Sequence, residues 1–184
     1  TLVLSRDGVI SPLFSSIEEW LGRNTQAYYD ILAETGKGAW HPENDAHAWV
    51  SFCLRAHFQQ AQTIVKRNEW YGRVYETVAR IVKTRGLHER MTFALMDGAF
   101  GLRVRAGQYR EEQALSDVVA SRDLRRLVDE NLLVPHGEKR GRFYTGTEDL
   151  IALGRAAKST GRAENPYEIV RKAREAATSP ELPL

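Results

Sequence analysis

One stretch constrains the fold of this chain more than any other. From Ser116 to Asn131, Ala120, Leu124, Leu127 and Val128 recur at steps of four, three and one, which puts them on one side of a helix. Ser116 is a residue type whose hydroxyl caps the free N–H groups at a helix start, and Asn131 tolerates the left-handed backbone that ends one. Directly afterwards, Leu132-Leu133-Val134 and Phe143-Tyr144-Thr145 flank the glycine-bounded turn Pro135-His136-Gly137-Glu138-Lys139-Arg140-Gly141-Arg142, the pattern of a two-stranded hairpin. A helix with such a stripe, delivered straight into a short hairpin, needs two more helices to bury its apolar side.

The preceding residues supply them. Leu87, Met91, Phe93, Ala94 and Leu95, with Gly98 and Gly101 at the end, predict a helix over 87–100. Leu102-Arg103-Val104-Arg105 alternates apolar and basic residues, as a short strand does. A second short helix is expected over 106–115, with Tyr109, Gln113 and Ala114 or Leu115 toward the core. The small Ala120 lets two helices approach closely across the tight turn at 115–117. This order of units is that of a winged helix-turn-helix domain, expected over 87–150, with 116–131 as its recognition helix and the hairpin as its wing.

Arg122 and Arg125 on that helix, Lys139, Arg140 and Arg142 on the hairpin, and Ser116 and Ser121 as helpers at phosphates form the expected surface for double-stranded DNA. Arginine bonds phosphates and reads guanine edges, and hairpin cations astride the backbone release counterions. Glu111, Glu112, Asp117, Asp123, Asp129 and Glu130 lie close by, however, and many winged helices contact proteins, so a protein target is the competing partner.

Residues 1–86 lack any period-two run long enough for a strand and read as an all-helical bundle. Ser15 or Ser16, after Ser11-Pro12-Leu13-Phe14, caps a helix to about Gly22 with Glu18 and Glu19 in its first turn. Asn24-Thr25 offers a second cap, for a helix carrying Tyr28, Ile31 and Leu32 and stopped by Gly36-Lys37-Gly38. The run Ala39-Trp40-His41-Pro42-Glu43-Asn44 reads as a loop. From near Asp45, Trp49, Phe52, Cys53, Ala56, Gln60, Thr63 and Ile64, then Trp70, Val74, Val78, Ile81 and Val82, recur at steps of three and four to a stop near Gly86. That length suits a bend around 67–69, and the long helix is the candidate surface for a homodimer. Residues 151–184 are expected to be a helical tail with a helix starting at Asn165-Pro166.

A net charge of +2 on 184 residues gives no global attraction to nucleic acid or an acidic membrane, so any basic surface must be local. No apolar run approaches the roughly 20 residues of a membrane span and no signal-type segment opens the chain, so a cytoplasmic protein without a membrane partner is expected. The single Cys53 cannot form an internal disulfide and sits in an apolar run that predicts burial. His47 and His57 lie about 15 Å apart along a helix, too far for a shared metal. No phosphate-binding glycine loop, nucleophile elbow or carboxylate pair occurs, so no catalytic residue, metal or cofactor is expected in this chain. Trp20, Tyr28, Tyr29, Trp40, Trp49, Trp70 and Tyr71 are assigned to the bundle core.

The run Val119-Ala120-Ser121-Arg122-Asp123-Leu124-Arg125-Arg126-Leu127-Val128, the following Leu132-Leu133, and Gly141-Arg142-Phe143-Tyr144 resemble the C-terminal winged helix of Fic-family proteins (filamentation induced by cyclic AMP). Ser11-Pro12-Leu13-Phe14 with Ser16, Ile17, Glu18, Asn24 and Tyr28-Tyr29 is similar to the helical segment that follows the Fic catalytic loop. Trp49 with Phe52 resembles the next helix, and the resemblance covers about residues 8–146. Fic enzymes transfer AMP from ATP to a hydroxyl on a target protein through a loop of the type His-Pro-Phe-x-(Asp or Glu)-Gly-Asn-Gly-Arg. Here His41-Pro42-Glu43-Asn44-Asp45 lacks the Phe and the glycines whose bare backbone cradles phosphates, and it falls after the segment that should follow the motif. The resemblance implies the C-terminal part of a Fic-like protein, not itself catalytic, whose motif lies upstream of Thr1 or has been lost; ATP and Mg would serve only the full-length protein. Two functions follow as expectations: a DNA-binding regulatory module, or the accessory, target-selecting part of an adenylyltransferase.

Overall fold

The computed structural model describes residues 16–38, 42–138, 141–158 and 164–178, of which 176–178 by backbone alone. These form a mainly helical protein with one small antiparallel sheet. In chain order the elements are α1 Glu18–Arg23, α2 Thr25–Gly36, α3 His47–Thr84, α4 Met91–Ala99, α5 Ala106–Glu112, α6 Asp117–Asp129, β1 Leu133–His136, β2 Phe143–Gly146, α7 Glu148–Ala156 and α8 Pro166–Thr178. Among the described residues no helix is long and apolar enough to cross a membrane. Backbone contacts group the chain into two units, Thr1–Arg67 with Gly161–Leu184, and Asn68–Thr160. Helix α3 runs without interruption through the boundary, which falls where the sequence suggested a bend.

In the first unit, aromatic rings do most of the packing. Phe52 is buried, with Trp20 edge-on at 5.4 Å and Trp49 stacked at 6.0 Å. Trp20 Nε1 donates to Gln59 Oε1 at 3.0 Å, and the buried Gln60 donates to Glu19. Tyr29 and Leu32 are exposed, contrary to their expected place in the core, and no residue of α2 is buried. The expected cap at Asn24-Thr25 also works in the other direction. Asn24 Nδ2 donates to the Trp20 carbonyl and Thr25 Oγ1 to that of Gly22, so both close the end of α1 instead of capping α2. The two helices meet at one residue, and the free carbonyls of the first are the nearer partners. Trp40 and His41 lie outside the described residues, as does the segment 11–14.

The second unit has one continuous core, built from Val74, Val78 and Val82 of α3, Ala94 and Leu95 of α4, Leu124 and Leu127 of α6, and Leu133, Tyr144 and Leu150. Helix α4 starts at Met91, later than the expected 87, because Gly86 at φ 61° turns the chain and the Leu87 N–H closes α3 on the Val82 carbonyl. Phe93, expected inside, is exposed. The expected strand at 102–105 contracts to one bridge between Val104 and Tyr144, paired by N–H···O bonds of 2.9 and 2.8 Å.

Gly98 does not end α4. Gly146 lets β2 approach α4 there, because a Cβ at Gly146 would fall on the Gly98 carbonyl, and Gly154 does the same for α7, where a Cβ would fall on the carbonyl of Ala99. Those close approaches pack α7 against α4, and Trp70 Nε1 donates to the Gly154 carbonyl at 2.7 Å. The contact division differs from the boundaries read at 86/87 and 150/151: Val74, Val78 and Val82, with the partly buried Trp70, Ile81 and Ala157, belong to this core.

Candidate nucleic-acid interface

The side chains of α6 take their positions from how that helix is held. The Ser116 hydroxyl accepts the Val119 N–H at 3.4 Å and starts the helix; Asn131 at φ 55° ends it. Ala120, Leu124 and Leu127 are 1%, 0% and 0% exposed and Val128 is half-buried, which sets the rotation of the helix about its axis. Burying two leucines of this kind resists truncation by about 2–5 kcal/mol each.

A buried polar group pins the same side. Asp123 is 1% exposed and takes a two-pronged contact from Arg90, whose Nε and Nη2 lie 2.5 and 3.1 Å from its oxygens. The Tyr109 hydroxyl adds a third hydrogen bond at 3.2 Å. Burial would raise the Asp123 carboxyl, but the bonds and charge of Arg90 and the bond from Tyr109 outweigh it and hold the group below the ordinary carboxylate value. The Tyr109 phenol moves up, through burial first and the neighbouring carboxylate second. Asp123 is thus committed chiefly to Arg90 and Tyr109, with the charge of Arg122 as its weakest influence.

An open cleft of about 960 Å³ lies beside α6. Ser121, Arg125 and Val128 form one wall, Pro135, Arg142 and Tyr144 of the hairpin another, and Arg105 and Gln108 the start of α5 a third. Among the described residues, Arg105, Arg125 and Arg142 have no carboxylate partner. Two acidic residues, Glu111 and Asp117, also line the cleft, and both are paired: Arg110 lies 2.7 Å from Asp117 and 3.0 Å from Glu111. Glu130, at the far end of α6, pairs with Arg126 and Arg85. On the hairpin, the Arg103 guanidinium lies 4.6 Å from the ring centre of Phe143, and the His136 ring stacks on Phe143 at 5.0 Å.

Of the seven residues singled out from the sequence, Ser121, Arg125 and Arg142 meet at the cleft. Arg122 is exposed on the outward side of α6 but does not line the cleft. The Ser116 oxygen is engaged as a cap. Lys139 and Arg140 lie outside the described residues. Arg105 was missed, although the alternation Leu102-Arg103-Val104-Arg105 carried the signal: with Val104 inward, both arginines must face out. Compared with known proteins, the chain matches no family model, no curated protein and no solved structure. The resemblance to Fic-family proteins thus rests on the sequence blocks quoted above.

Proposed function

We propose that residues 68–160 carry a winged helix-turn-helix module that binds double-stranded DNA in a regulatory role, with α6 as recognition helix and the β1–β2 hairpin as wing. The observation that supports this reading is the convergence of Arg105, Arg125 and Arg142 on one cleft, each without a carboxylate partner among the described residues. Guanidinium groups left unpaired on a concave surface suit a phosphodiester backbone, where each neutralised phosphate frees counterions. The pairing of Asp117 and Glu111 with Arg110, and the burial of Asp123, remove much of the repulsion that the acidic residues would exert. Ser121 on the same wall adds a hydroxyl donor for a phosphate oxygen.

Anisotropy of a labelled duplex of about 20 base pairs, two helical turns, titrated with the full chain at several salt concentrations, tests the proposal. The logarithm of affinity should fall linearly with the logarithm of salt concentration, and Arg125→Ala with Arg142→Ala should flatten the slope by roughly two units. Binding that ignores salt, or none at low ionic strength, refutes it.

A further inference from the structure

Resting on that reading, we propose that Val118 reads sequence by packing on the C5-methyl group of a thymine. The buried residues of α6, Ala120, Asp123, Leu124 and Leu127, define its inner side. At a hundred degrees per residue the ridge diametrically opposite is Val118, Arg122, Arg125 and Asp129, all four exposed. Val118 heads that ridge and is 78% exposed, more than any other large hydrophobic side chain among the described residues.

Neither the helix nor the core accounts for a valine there. A β-branched residue forms helix less readily than alanine, and this one buries almost nothing in return. What it offers is a stiff, compact pair of methyl groups in the first turn of α6, the end of a recognition helix that reaches base edges. In the major groove the thymine methyl is the apolar group on the base edges, and short apolar side chains pack against it. Arg122 stands one turn further along the same ridge, about 6 Å on, which spaces a guanine contact within about two base pairs of that thymine. Asp129, at the opposite end of the ridge, would repel phosphates, which weights the contact toward the Val118 end.

Selection of duplexes from a randomised pool with the full chain, followed by anisotropy, tests the assignment. The best duplex is compared with a copy in which the selected thymine is replaced by deoxyuridine, differing only by the methyl group. The unaltered chain should lose about three- to fivefold in affinity on the uridine copy, the worth of one buried methyl. Val118→Ala, which does not disturb the fold at so exposed a position, should discriminate by less than about 1.5-fold. Equal binding of both duplexes by the unaltered chain, or full discrimination by Val118→Ala, overturns the assignment. If no duplex is bound at all, the DNA-binding reading falls and takes this with it; salt-dependent binding without thymine preference removes only the role of Val118.

Discussion

Replacing Asp123 by Ala should be among the most damaging single changes to the second unit. The carboxylate is 1% exposed and the Arg90 side chain 20%, so the substitution leaves a guanidinium that has lost its partner in a mostly closed site. Breaking a buried pair in this way costs about 3–5 kcal/mol. The residual exposure of Arg90 lets water reach it in part, which points to the lower end, about 3 kcal/mol. That is a shift of roughly 6–12 °C in Tm for a chain of this size. Urea unfolding at neutral pH, followed by circular dichroism, measures it, with Arg90→Met and the double variant completing a cycle. The double variant should be more stable than the sum of the single changes by at least about 1 kcal/mol, because it strands no charge. The pH dependence has a defined sign. The folded Asp123 pKa lies below its ordinary 3.8, so the contribution is complete above that value and is lost as pH falls below it. The gap between the unaltered chain and Asp123→Ala should therefore stay constant from about pH 5 to 8 and narrow on acidification. A cost under about 1 kcal/mol, strictly additive single changes, or a gap that widens in acid would refute the account.

Three further substitutions test the local packing, and the first also separates fold from function. Ser116→Ala removes the cap on Val119 N–H and should cost about 1 kcal/mol of stability while leaving the salt slope of duplex binding unchanged; a flattened slope would make Ser116 a phosphate contact. Gly146→Ala drives a methyl group into the Gly98 carbonyl and should cost about 3 kcal/mol by parting α4 from β2. Gly22→Ala, with nothing within 4 Å, should instead be neutral or stabilising by up to about 1 kcal/mol, judged by the same urea midpoints.

The spacing of Ala120, Leu124 and Leu127 was enough to orient α6, because a helix turns by a constant angle and the buried side follows from sequence distance alone. Ser116 and Asn131 marked its ends for a similarly local reason. The start of α4 was not legible: Leu87 has the right period for that helix, but its N–H is taken by the end of α3. At the cleft, Arg125 and Arg142 were visible as outward cations on successive elements. Arg105 was legible as outward-facing from the alternation at 102–105, but not its place beside Arg125 and Arg142, which the fold decides. The burial of Asp123 had no local sign at all, since it depends on Arg90, 33 residues earlier.

Periodicity, caps and turn residues by themselves determined the helices, the hairpin and the inward side of α6, because each is set by interactions within a few residues along the chain. Only the tertiary structure decided which charges survive at the surface. Desolvation and the convergence of charges depend on groups distant in sequence, and it was packing that enclosed Asp123 against Arg90 and left Arg105, Arg125 and Arg142 facing one cleft.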